Sequence, residues 1–186
     1  MINNIVESFK GEETKHLWFI SDTHFSVDRT RVLTCRPFDS VTEMDKEIIK
    51  QWNKVIKPND VVYHLGDFGN LSIINKLNGK IRLIMGNHER KQGLTKEDLL
   101  KAGFVKVFDY NAMIEVNGKV INMVHEPSKH IPNMFNLFGH VHDLAFIKPY
   151  GINVGVDVNH YRPVSYERMM YYGNLTGSGY TGEFTI

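Results

Sequence analysis

The sequence predicts an α/β fold. Three short apolar runs, Leu17–Ile20, residues 61–65 and residues 81–85, have strand length. Segments of helical spacing separate them. Each run also stops at a polar cluster containing Asp, Asn or His, which places a site along the carboxyl edges of the strands.

In chain order, Leu17–Ile20 reads as a buried strand feeding a loop at Ser21-Asp22. Residues 29–36 are basic and irregular, and Pro37 argues against helix there. Val41, Met44, Ile48, Ile49 and Trp52 fall on one helical face, with Asp39, Ser40 or Thr42 as its cap. Pro58-Asn59-Asp60 forms a turn before the strand at 61–65. A short helix at 71–77 closes at Asn78-Gly79, and the strand at 81–85 follows. A helix over 95–102 stops at Gly103, and residues 104–108 read as strand. Asn111–Val116 and Lys119–Val124 flank Asn117-Gly118, a strong hairpin signal. Phe135–Phe138 and residues 152–156 are further strands, and 166–172 fits helix or strand. The tail from 173 to 186, rich in Gly, Ser and Thr, reads as loosely held. No repeat or linker interrupts the chain, so one domain over 1–186 is expected.

The chain has 186 residues, enough to bury a sizeable core without disulfide or oligomer, although an oligomer is compatible with it. A net charge of +1 argues against an extended nucleic-acid footprint. Cys35 is the single cysteine, so no intramolecular disulfide forms, consistent with a reducing compartment. Residues 1–15 hold five charged side chains and lack the apolar core of a signal peptide. No apolar run is long enough to span a membrane. A cytoplasmic protein is expected.

Five clusters carry chemistry: Asp22-Thr23-His24, Gly66-Asp67, Gly86-Asn87-His88-Glu89, His125, and Gly139-His140-Val141-His142. Each lies just past an expected strand. Carboxylate, amide and imidazole donors suit Mn, Fe, Zn or Ni, and the lack of a thiolate excludes a structural cysteine zinc site. Asp22 and His24 alternate by two, as do His140 and His142, so each pair can face one way from extended chain. The glycines at 66, 86 and 139 allow tight turns and close backbone approach. Together with Asp67, Asn87 and His125 these make seven donors, too many for one tetrahedral ion and natural for two ions sharing a bridge. Any one cluster alone is an ordinary turn, helix cap or packed histidine; the ordered set is what argues for metal.

The ordered set DTH, GD, GNHE, H, GHVH resembles the signature of calcineurin-like metallophosphoesterases. It runs from Asp22 to His142. With Arg36-Pro37-Phe38 and residues 63–67, it looks most like the small bacterial and phage members. The resemblance implies a four-layer α-β-β-α sandwich of two mixed sheets flanked by helices. It implies two divalent ions, with manganese favoured. Asp22, His24 and His142 would bind one ion and Asn87, His125 and His140 the other, with Asp67 bridging. A hydroxide bridging the ions would attack phosphorus. His88 would serve the leaving group, with Asp22 orienting it as well as binding metal. Arg36 and Arg90 are the candidates for gripping a phosphate oxygen.

A phosphodiester substrate, small or nucleotide-like, is expected. The same centre could serve a phosphomonoesterase or nucleotide pyrophosphatase, or a scaffold that has lost catalysis. Gly66-Asp67-Phe68-Gly69-Asn70 lacks the Asp-Arg-Gly element of protein phosphatases, which argues against phosphoprotein. No hydrophobic cap insertion points to lipid. His142-Asp143 lacks the companions of HD hydrolases, and His88-Glu89 and His125-Glu126 lack the second histidine of HExxH.

Overall fold

A computed structural model describes residues 5–177. Its strands, in chain order, are β1 (Ile5–Phe9), β2 (Leu17–Ile20), β3 (Val61–His64), β4 (Lys80–Ile84), β5 (Lys106–Phe108), β6 (Asn111–Val116), β7 (Lys119–Val124), β8 (Phe135–Phe138), β9 (Ile147–Lys148), β10 (Gly151–Asn153) and β11 (Val164–Ser165). Its α-helices are α1 (Asp28–Leu33), α2 (Val41–Val55), α3 (Asn87–Lys91), α4 (Lys96–Ala102) and α5 (Tyr166–Gly177). The strands form two mixed sheets, ordered β11-β2-β3-β4-β5 and β1-β6-β7-β8-β10-β9. Strands β2 to β5 run parallel, as do β7, β8 and β10, so their carboxyl ends point the same way within each sheet.

Alternation along the strands explains why they read as nearly continuous apolar runs. Leu17 and Phe19 of β2, with Tyr63 of β3, face the second sheet and meet Ile114, Ile121, Met123 and Leu137. Ile20, Val62, Ile81 and Leu83 face the other way and pack under α2 and α4 with Met44, Ile48, Trp52 and Leu99. A sheet buried on both faces carries apolar side chains at every position. Trp52, fully buried, donates its Nε1–H to the carbonyl of Asn78 at 2.9 Å, which ties α2 to the turn before β4. Ser40 caps α2, its hydroxyl accepting from the Glu43 amide at 3.1 Å.

Several expectations are corrected. Residues 28–33 form helix α1 rather than irregular chain, because Pro37 restrains only the residues just before it. Residues 71–76 form a 3₁₀ helix. The strand expected at 152–156 is β10, ending at Asn153, and residues 156–158 make a 3₁₀ turn. Residues 166–172 are helical, and α5 continues through Gly177, so that part of the expected loose tail is helix. The rest of that tail, 178–186, lies outside the described residues. Strands β1, β9 and β11 were not expected. In β1 the charge of Glu7 masked the pattern, yet its carboxylate turns inward to Arg82. Among the described residues no helix is long and apolar enough to cross a membrane.

Candidate metal centre

The carboxyl ends of β2, β3 and β4 in one sheet and of β7 and β8 in the other meet at one edge of the sandwich. Asp22 and His24 follow β2, Asp67 follows β3, Asn87 and His88 open α3 after β4, His125 follows β7, and His140 and His142 follow β8. The backbone turns sharply at each exit. Asp22, His24, Asp67, His140 and His142 all have left-handed φ, between 48° and 71°. Such conformations cost on the order of 1–3 kcal/mol each and persist only where surrounding structure enforces them.

That enforcement is visible. The amides of Asp22 and His24 donate to the carbonyls of Gly66 and Asp67 at 3.0 Å, which laces the first loop to the second. Glu89, buried, accepts from three backbone amides: Asp67 at 2.9 Å, Phe68 at 2.7 Å and Gly86 at 2.7 Å. His64 accepts from the Gly66 amide through Nδ1 at 3.2 Å, so its Nε2 donates to Thr23 Oγ1 at 3.0 Å. Burial holds His64 neutral, its pKa pushed down to about 3. Close approach also excludes side chains: a Cβ on Gly86 would meet Asp67 Oδ1 at 2.2 Å, and one on Gly139 would meet Asp22 Oδ2 at 2.4 Å.

Among the described residues the donors form three overlapping groups, one of them His24, Asp67 and His88 at the mouth, and the other two flank Asp67. Asp22, His24 and His142 offer atoms within 4.8 Å of one another, and so do Asp67, His125 and His140. Asp67 Oδ2 lies between the groups, 3.6 Å from His24 Nε2 and 3.5 Å from His125 Nε2. Asn87 Oδ1 joins the second group, 2.9 Å from both His125 Nε2 and His140 Nδ1. The far nitrogens are fixed from behind. His125 Nδ1 donates to the Leu65 carbonyl at 2.7 Å, and His142 Nδ1 faces Asp157 Oδ2 at 2.8 Å. Each ring therefore presents Nε2 to the centre.

These residues fit cations. Asp22 Oδ1 and both ring nitrogens of His24 are buried with no hydrogen-bond partner. A buried polar atom left unpaired costs about 1–3 kcal/mol, and a cation among these donors removes that cost for Asp22 Oδ1 and for one ring nitrogen of His24. Electrostatics agree. Burial would raise Asp67, but His125 and His24 and the His88 amide hold it well below the usual carboxylate range. Burial would lower His125, but Asp67 and Asp22 raise it to about 9. Burial lowers His24 and His140, so these two rings stay neutral donors beside the ionised Asp67.

His88 sits at the mouth, its side chain 37% exposed, with Nε2 3.8 Å from Asp67 Oδ2 and its ring edge-on to His24. Asp22 does not orient it. Asp22 Oδ2 instead accepts from the His140 amide at 2.8 Å. Arg36 is also placed differently from expectation. Its fully buried guanidinium bonds both oxygens of Asp157 and the carbonyls of Asp22 and Thr23, leaving nothing to grip a phosphate. It clamps the first loop. Arg90 lies beside His125 but pairs with Glu126 at 2.7 Å. Asp157 was not anticipated. It lies four residues past the end of β10 and just past the strand expected over 152–156, but with no glycine or histidine motif around it, it was not singled out.

Residues 16–155 match the model of the calcineurin-like phosphoesterase superfamily domain, and the chain belongs to this family. It is 33% identical over 169 residues to the uncharacterized protein MJ1445 of Methanocaldococcus jannaschii, covering 81% of this chain and 87% of that one. The Gene 66 protein of Mycobacterium phage L5 is 31% identical over 90 residues, 43% of this chain and 42% of its own. Among solved structures, protein AQ665 of unknown function from Aquifex aeolicus superposes with a TM-score of 0.69 at 30% identity, covering 84% of this chain and 98% of that one. The fold and family are those of metal-dependent phosphoester hydrolases.

Proposed function

We propose that this chain is a two-metal phosphodiesterase acting on a small or nucleotide-like phosphodiester. The observation that carries the reading is Asp67 Oδ2, set between two donor groups that include orphaned buried atoms of Asp22 and His24. Asp22, His24 and His142 would hold one ion, Asn87, His125 and His140 the other, and Asp67 both. The imidazole, carboxylate and amide donors suit manganese first, with iron, zinc or nickel compatible. When bound, the ions polarise the phosphoryl oxygens and make water nucleophilic at neutral pH.

The protein's own groups do the rest. Asp67, held low in pKa, stays ionised and fixes the register of the two groups. His125 and His142 are held in one tautomer by Leu65 and Asp157. His88, at the mouth, is placed to pass a proton to the departing oxygen, a contribution typically worth about 100- to 10,000-fold. A diester fits better than a monoester because the two arginines near the centre are engaged. A monoester dianion brings one more negative charge, and Arg36 and Arg90 are already paired with Asp157 and Glu126. With no membrane-crossing helix among the described residues, a cytoplasmic site of action is consistent with this reading.

The test is hydrolysis of bis-p-nitrophenyl phosphate beside p-nitrophenyl phosphate, on metal-stripped protein before and after Mn²⁺ is restored. Metal-dependent turnover favouring the diester is the expected result. Preference for the monoester would replace this reading with a phosphatase. Turnover of neither, with two ions bound, would favour a non-catalytic scaffold.

A further inference from the structure

A cleft of about 610 Å³ adjoins the candidate metal centre at His125 and is bordered by Arg90, Tyr110, Asn111, Glu126 and Lys129. Its composition is unusual for a surface depression. Tyr110 is 71% exposed, a large aromatic ring left in water. One face of that ring carries the Arg90 guanidinium, 5.6 Å from the centroid. Arg90 is itself held by Glu126 at 2.7 Å. The ring is thus backed by a pinned cation rather than by apolar packing, with most of its surface open to solvent.

The charges sort in the same way. Glu126 and Arg90 neutralise each other. Lys129, on the 3₁₀ turn after His125, has no carboxylate within ion-pair distance among the described residues. Asn111 donates through Nδ2 to Asn122 Oδ1 at 3.2 Å, and its own Oδ1 has no donor among the described residues. The cleft therefore offers an exposed aromatic ring, a hydrogen-bond acceptor and one ammonium without a carboxylate partner among the described residues. An ester arm of a phosphate held by the donor set would have this cleft beside it at His125.

We infer that the cleft beside His125 binds the nucleoside of a nucleotidic phosphodiester, with the base stacked on Tyr110 and Lys129 facing the sugar-phosphate. This inference rests on the phosphodiesterase reading and names its substrate class. Stacking of a base on an aromatic ring is worth about 1–3 kcal/mol and tolerates any base, because every base has a π-face. A single nucleoside fits the cleft, in keeping with a chain whose net charge of +1 supplies no long basic track.

The test compares two esters with the same leaving group, thymidine 5′-(p-nitrophenyl phosphate) and methyl p-nitrophenyl phosphate, on the Mn²⁺-loaded full chain. The wild type should prefer the nucleoside ester. Tyr110→Ala should reduce that preference, the ratio of the two kcat/KM values, by about tenfold, and Tyr110→Trp should restore it. Lys129→Ala should reduce it less. An unchanged ratio in Tyr110→Ala would overturn the cleft assignment while leaving the phosphodiesterase reading intact. A second readout is independent of turnover: binding of thymidine 5′-monophosphate to metal-free protein by calorimetry. It should weaken in Tyr110→Ala whether or not either ester is hydrolysed. Equal binding to both proteins would overturn the inference. Failure of both esters in the wild type would instead count against the parent function.

Discussion

Asp157 Oδ2 lies 2.8 Å from His142 Nδ1, while its Oδ1 accepts the Nε–H of Arg36 at the same distance. One buried carboxylate thus orients a metal donor and neutralises the arginine that clamps the Asp22 loop. Burial would raise its pKa, but His142 and Arg36 hold it low. Asp157→Asn should weaken the ion held by Asp22, His24 and His142 by about 10- to 100-fold, measured by Mn²⁺ calorimetry. Asp157→Ala should also lower stability by about 3–5 kcal/mol, because it leaves the Arg36 charge buried and unpaired. Unchanged metal affinity in Asp157→Asn would remove Asp157 from the account.

Asp67 is the shared donor, so Asp67→Asn should lower occupancy of both positions. His142→Ala should lower only one. Metal content of the two purified variants, measured by elemental analysis after equilibration with Mn²⁺, separates these outcomes. Full content in Asp67→Asn would contradict a bridging role.

His88 stands at the mouth of the centre, its side chain 37% exposed. His88→Ala should keep both ions and lose about 100- to 10,000-fold in kcat on a poor leaving group, with a smaller loss for p-nitrophenolate, which needs little protonation. Loss of metal together with activity would make His88 a ligand rather than a proton donor.

Away from the site, Glu7 of β1 crosses the sandwich to Arg82, Tyr63 and Lys106 of the other sheet. Burial would raise its pKa, but Arg82 and Tyr63 lower it from 4.5 to about 2. The folded state therefore binds fewer protons than the unfolded state between those values. Its contribution is complete above pH 4.5 and is lost as pH falls toward 2. Glu7→Gln should lower stability at neutral pH and flatten the acid side of the stability curve, followed by urea denaturation across that range.

Much of the centre was legible because its donors obey one rule, standing just past strand ends. The rule singled out Asp22, His24, Asp67, Asn87, His125, His140 and His142 as candidates without tertiary information, and the structure brings these side chains together. It could not show which arginine was free, since that depends on partners distant in sequence: Arg36 meets Asp157 across 121 positions. It likewise missed Tyr110, which belongs to no motif and gains meaning only from the cleft around it. In the fold, β1 stayed hidden because an inward-facing Glu7 broke the apolar alternation. Helix α1 stayed hidden because Pro37 was given too long a reach.

The central claim is that the two donor groups around Asp67 hold two ions. Calorimetric titration of Mn²⁺ into metal-stripped protein tests it most directly. The account predicts two ions per chain, with both affinities reduced in Asp67→Asn; a single ion per chain, unaffected by that substitution, would contradict it.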